Sequence, residues 1–125
     1  MFKTRFISML VLLLMTATGA WATITVTWNN DDITGSGNSF TKDGVTITAG
    51  SIDFDEKIFW WGGTFTTTLG NFTKIEVTTH SWEASGSGWI GSTWTGNDSS
   101  VSFSGDICGD GWGDTKFVFT IVPTN

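Results

Sequence analysis

The chain has 125 residues, a formal charge of −6, sixteen glycines, eight tryptophans, one cysteine and no tyrosine. One cysteine excludes an intrachain disulfide. The acidic balance, with Lys42, Lys57, Lys74 and Lys116 scattered after the N-terminal segment, argues against nucleic acid and other polyanions, which need clustered cations.

Residues 1–22 form a secretory leader. Lys3 and Arg5 precede the apolar run FISMLVLLLM, and Ala20-Trp21-Ala22 supplies the small residues that a signal peptidase reads. The run is short for a permanent anchor, so no stable membrane insertion is expected after cleavage. Removing Lys3 and Arg5 takes the formal charge from −6 to −8. Residues 23–125 are then expected to make one secreted or cell-surface domain.

That domain reads as all-β. Thr, Val, Ile, Phe and Trp dominate, Gly and Asn punctuate, and no three-four periodicity follows the leader helix. Ile24, Val26 and Trp28 alternate with threonines, and residues 29–37 form a polar loop. Residues 39–41 and 45–49 make a short hairpin about Lys42-Asp43-Gly44. Ile52 and Phe54 start another strand. Residues 58–61 form a further one, broken at Gly62-Gly63.

The stretch FTTTLGNFTKIEVTT reads as a hairpin of residues 64–69 and 73–79 about Gly70-Asn71. Its apolar pattern favours a longer loop or bulge that pairs Thr67 with Ile75 and Phe65 with Val77, leaving Phe72 to cap the corner. A second hairpin turns within Gly96-Asn97-Asp98. It sets Ile90 and Trp94 on the face of Val101 and Phe103, and turns Trp89 outward. Residues 116–122 read as a central strand covered on both faces, with Phe117, Phe119 and Ile121 on one of them. Eight or nine short strands of this kind predict an antiparallel two-sheet β-sandwich. Phe65, Ile75, Val77, Trp94, Val101, Phe103, Phe117 and Phe119 are its expected core.

The phrases ITVTW, GNSFTKDGVTITAG, GTFTTTLGNFTKIEVTT, GSTWTGNDSSVSFSGDI and KFVFTI resemble a β-sandwich module of secreted multidomain proteins from gut anaerobic bacteria. Such modules are similar to jelly-roll and carbohydrate-binding-type sandwiches. The resemblance implies a jelly-roll-like, exported, non-enzymatic module and carries over no functional residue.

Flat exposed aromatic rings suit stacking on sugars. Adjacent Trp60 and Trp61 must face opposite ways on a regular strand, so one meets solvent. Trp60, Trp61, Trp89 and Trp112 are therefore the candidate ligand-binding residues, for a carbohydrate or another surface polymer. Asp106, Asp110 and Asp114 in the glycine-rich loop before the last strand are a lesser candidate set for calcium, although their spacing of four is not that of a helix-loop-helix site. No other cofactor is implied. No nucleophile–base pair is visible, His80 and Cys108 each stand alone in sequence, and a glycosidase needs two acids across a cleft that short turns do not provide. The expected role is binding or adhesion, not catalysis. A structural or protein-interaction module is the alternative. Mass spectrometry of exported protein should find Thr23 as the first residue, and a retained leader would refute the cleavage.

Overall fold

The computed structural model describes residues 22–109 and 115–124. The expected leader, apart from Ala22, lies outside the described residues, as do Asp110, Trp112 and Asp114. Ten strands follow in order: β1 (Ile24–Trp28), β2 (Ser39–Lys42), β3 (Val45–Asp53), β4 (Ile58–Thr67), β5 (Asn71–Thr78), β6 (Ser81–Ser85), β7 (Trp89–Ile90), β8 (Thr93–Asp98), β9 (Ser100–Cys108) and β10 (Lys116–Val122). A single 3-10 turn, Asn30–Asp32, interrupts the loop after β1. No helix among the described residues is long and apolar enough to cross a membrane.

The strands form two five-stranded antiparallel sheets. The first runs β1-β10-β5-β8-β7 and the second β2-β3-β4-β9-β6. Their inner faces pack together as a β-sandwich. The pairs β1·β10, β4·β9 and β5·β8 nest inside one another along the chain, which is the winding of a jelly roll. The β2–β3 hairpin adds to the free side of β4. Its turn residues Asp43 and Gly44 have φ of 52° and 84°, the left-handed pair that suits the twist of a tight hairpin.

Three sequence expectations are corrected here. The segments around Gly70-Asn71 are not a hairpin, because β4 and β5 belong to different sheets. Gly70, with φ of 152°, crosses between the sheets where the Val122 carbonyl and Pro123 leave no space for a side chain. Phe72 is no corner cap either. It is fully buried in β5 opposite Ile121, and a bulge at Thr73 lets Phe72 and Ile75 both face inward. The second expected hairpin also fails, since β8 lies in the first sheet and β9 in the second.

The local hairpin in that region is β7–β8, with Trp89 opposite Trp94. Cross-strand partners share a face, so Trp89 turns inward beside buried Trp94, and Ile90 is 83% exposed. That inverts the expected orientation of both residues. The strands expected at 52–54 and 58–61 belong to longer ones: β3 runs on through Gly50, and β4 passes through Gly62-Gly63 without a break. Finally, β10 is internal to its sheet but covered on one face only, with Val118, Thr120 and Val122 half-buried outside.

All eight expected core residues are buried. Phe65 sits at their centre, its ring 5.4 Å from Phe103, 5.7 Å from Phe117 and 5.4 Å from Phe119. At the β1/β2 side Trp28 wedges against Phe40 at 4.9 Å and Phe119 at 4.8 Å, and its Nε1 donates to the Lys42 carbonyl at 3.4 Å. Lys42 returns the link, with Nζ donating to the Thr27 carbonyl at 3.1 Å and to Asp32 Oδ2 at 2.9 Å. Lys57 is buried, and its ammonium donates to the carbonyls of Ile33 and Phe54, each at 2.6 Å. It thus ties two loops together through their carbonyls.

Phe65→Ala should cost about 3–5 kcal/mol, a large share of a small domain's stability. A urea midpoint equal to the parent's would contradict the packing. Asp32 gives a pH signature. The Asn29 backbone N–H first, and then the Lys42 ammonium, hold its carboxyl below the ordinary value of 3.8. The stabilisation is therefore complete above that value and is lost as pH falls through the lower folded one. Acid melts of Asp32→Asn should lose stability less steeply than the parent below about pH 4, and parallel curves would disprove the linkage.

Candidate functional site

Trp60 and Trp61 both belong to β4 of the second sheet. On β4, Phe59 is buried opposite Ile52, so Trp60 opposite Ser51 faces out. Simple alternation would then send Trp61 inward. It does not go there: Trp61 has φ of 68°, a left-handed conformation rare for so bulky a residue, and its side chain is 74% exposed. Both tryptophans therefore lie on the outer side, which corrects the expectation of opposite faces. Such a backbone costs about 1–3 kcal/mol and needs support from its surroundings.

Two neighbours supply that support. The Trp61 backbone N–H donates to Asp106 Oδ1 on β9 at 2.8 Å. On the other side Gly50 lies under the indole, where an added Cβ would come within 2.8 Å of Trp61 Cβ and 2.9 Å of the Trp60 carbonyl. Gly50 is thus required for close approach, and β3 and β4 shift register there. Trp60 is half-buried and lines a trough of about 500 Å³ with Phe54, Ser51, Asp53 and the loop Gly35-Ser36-Gly37. Asp53 Oδ1 accepts the N–H groups of Asp55 at 3.0 Å and Glu56 at 3.1 Å, which fixes the turn at the trough's end. The result is an aromatic platform beside polar groups.

The structure separates the other candidates from this site. Trp89 packs on Trp82, with ring centroids 4.9 Å apart, and on Phe65 at 6.3 Å, while its Nε1 donates to the Ser102 carbonyl at 3.0 Å. It closes the β7 side of the sandwich. Trp112 lies outside the described residues. Of the acidic set, Asp106 is engaged on the Trp61 amide, whereas Asp110 and Asp114 fall outside the described residues. No three His, Cys, Asp or Glu residues converge as metal ligands among the described residues. Cys108 is half-buried in β9, and its carbonyl accepts from Thr79 Oγ1 at 3.0 Å.

A second hollow, of about 370 Å³, lies along β9 where β6 ends, between Ser87, Trp94, Asp98 and Ser102. The exposed edge there is taken up by the chain itself: Asp98 Oδ1 accepts the Ser100 N–H at 3.1 Å and Trp89 covers the Ser102 carbonyl. A capped edge of this kind protects against strand addition.

Sequence reasoning found the tryptophan pair but missed Gly50, Ser51 and the structural part of Asp106. The available signal was Trp-Trp-Gly-Gly inside a strand, because interior glycines mark bulges and close backbone approaches. Comparison with protein-family models, curated proteins and solved structures finds no match to this chain.

Proposed function

We propose that the protein is an exported, non-catalytic binding module that holds a carbohydrate or related surface polymer on the outer face of its second sheet. Trp61 is the platform. The observation that carries this reading is the energetic one: an indole is held 74% exposed on a strained backbone, and two further features, the Asp106 hydrogen bond and Gly50, exist to keep it there. Strain retained around an exposed aromatic is a mark of use. Large exposed rings are otherwise costly in solution and favoured where a partner covers them.

Trp60 and the polar wall of the trough flank the platform, so a ring stacked on Trp61 finds hydrogen-bonding groups beside it. The acidic chain disfavours anionic polymers and leaves neutral ones. One ring alone binds weakly, since covering it is worth a few kcal/mol at most. Repeated shallow contacts along a polymer raise retention without any deep pocket. The resemblance to secreted sandwich modules points the same way.

Affinity electrophoresis through gels containing neutral polysaccharides tests the reading. Trp61→Ala should lose the retardation shown by the parent at an unchanged melting temperature, because the ring makes no part of the core. Parent protein that migrates freely past every polysaccharide would favour the structural-module alternative instead.

A further inference from the structure

The register of the second sheet places hydroxyl residues in two rows that cross four strands. Thr41 of β2 stands opposite Thr46 of β3, Thr46 opposite Thr66 of β4, and Thr66 opposite Ser100 of β9. The next outward row reads Ser39, Thr48, Thr64 and Ser102 in the same strand order. All eight side chains face solvent or are half-buried, and none is charged. Neighbours within the rows touch: Thr41 and Thr46 hydroxyls lie 2.8 Å apart, Thr64 and Ser102 3.3 Å, Ser39 and Thr48 3.4 Å.

The third outward position along β3, after Thr46 and Thr48, is Gly50, and the Trp61 ring lies over it. Hydroxyl rows and aromatic platform therefore form one continuous face. The first sheet serves as an internal comparison. Its outer face carries the Lys74–Glu76 ion pair at 3.4 Å between Thr and Val neighbours, as a solvated strand face commonly does. A chain with twelve acidic residues nevertheless keeps every charge out of the two rows on the second sheet.

We infer that the two hydroxyl rows are an extended subsite for a neutral polysaccharide chain laid across β2, β3, β4 and β9, continuous with the Trp61 platform. This rests on the binding reading given above and deepens it. A hydroxyl both donates and accepts, so a row of them matches the alternating hydroxyls and ring oxygens of a sugar chain without fixing a single ligand orientation. Strands stand about 4.8 Å apart, so one row spans about 14 Å, room for several linked rings but far more than a monosaccharide needs. With no cation in either row, a uronic-acid polymer would set its carboxylates against hydroxyls and a net acidic protein.

The test separates the rows from the platform by ligand length. Titration calorimetry of the purified protein uses disaccharides and hexasaccharides derived from cellulose, laminarin, xylan and mannan, with polygalacturonate as the anionic control. The parent should bind at least one hexasaccharide about tenfold or more tighter than its disaccharide, because the longer chain reaches the rows. Thr48→Val with Thr64→Val keeps the shape and strand propensity of both sites while removing the hydroxyls. That variant should lose the gain with length but keep disaccharide binding. Trp61→Ala should lose both. Melting temperatures qualify each variant, and Ser100→Ala with Ser102→Ala replaces the valine pair if the latter melts early. Hydroxyl-deleted variants that match the parent at both lengths would overturn the row subsite and leave the Trp61 platform standing. Polygalacturonate bound as tightly as the neutral chains, or parent self-association that the valine pair abolishes, would also overturn it. Silence with every sugar would remove rows and platform together.

Discussion

A two-sheet sandwich has two open sides, and what closes them decides whether the layer of about 10 Å between the sheets stays dry. In this protein an indole bridges the sheets at each side. Trp28 on β1 reaches the Lys42 carbonyl on β2, and Trp89 on β7 reaches the Ser102 carbonyl on β9. Each ring buries a large apolar area while its one polar group finds a carbonyl, the pairing that lets tryptophan sit at such boundaries. The two sides are not equal. Lys42 and Asp32 add an ion pair over Trp28. On the other side the Trp82 Nε1, buried under Trp89, has no partner among the described residues, an arrangement that costs about 1–3 kcal/mol.

Those bridges explain why some features were legible in the chain and others were not. Facing is a local property. The alternation of Phe65, Val101, Phe103, Phe117 and Phe119 follows from the pleat, so their burial could be read directly. Pairing is not local in a jelly roll, where β4 meets β9 and β5 meets β10 with four strands intervening in each case. A glycine at a sheet-to-sheet crossing, such as Gly70, looks in sequence like a glycine in a tight hairpin. Only the passage of Val122 and Pro123 against it tells the two apart. Trp89 failed for a different reason. A strand of two residues has no alternation to read, and its facing is set by Trp94 across the turn.

The candidate site was half legible by the same logic. Composition singled out Trp60 and Trp61, but regular alternation predicted that one of them would be lost to the core. The bulge that keeps both outside depends on Asp106, some forty-five residues away in sequence, and on Gly50 beneath the ring. Neither has meaning until β3, β4 and β9 are laid side by side. The hydroxyl rows are subject to the same limit, since their members come from four strands and align only through the observed register.

Sheet twist limits what such a face can hold. Adjacent strands rotate by about 20–25°, so a row crossing four strands turns by about 60–75° from end to end. A rigid crystalline plane would touch one or two hydroxyls of each row and lift away from the rest. A single polysaccharide chain, free to rotate about its glycosidic linkages, can follow the turn and keep successive rings in contact. The Trp61 ring stands beside the second row, one outward position further along β3, above the bulge where β3 and β4 change register. Bulges increase local twist, so the platform is angled relative to the rows it adjoins. A chain bound to both must bend between them, and that bend favours linkages with torsional freedom over stiff ribbons.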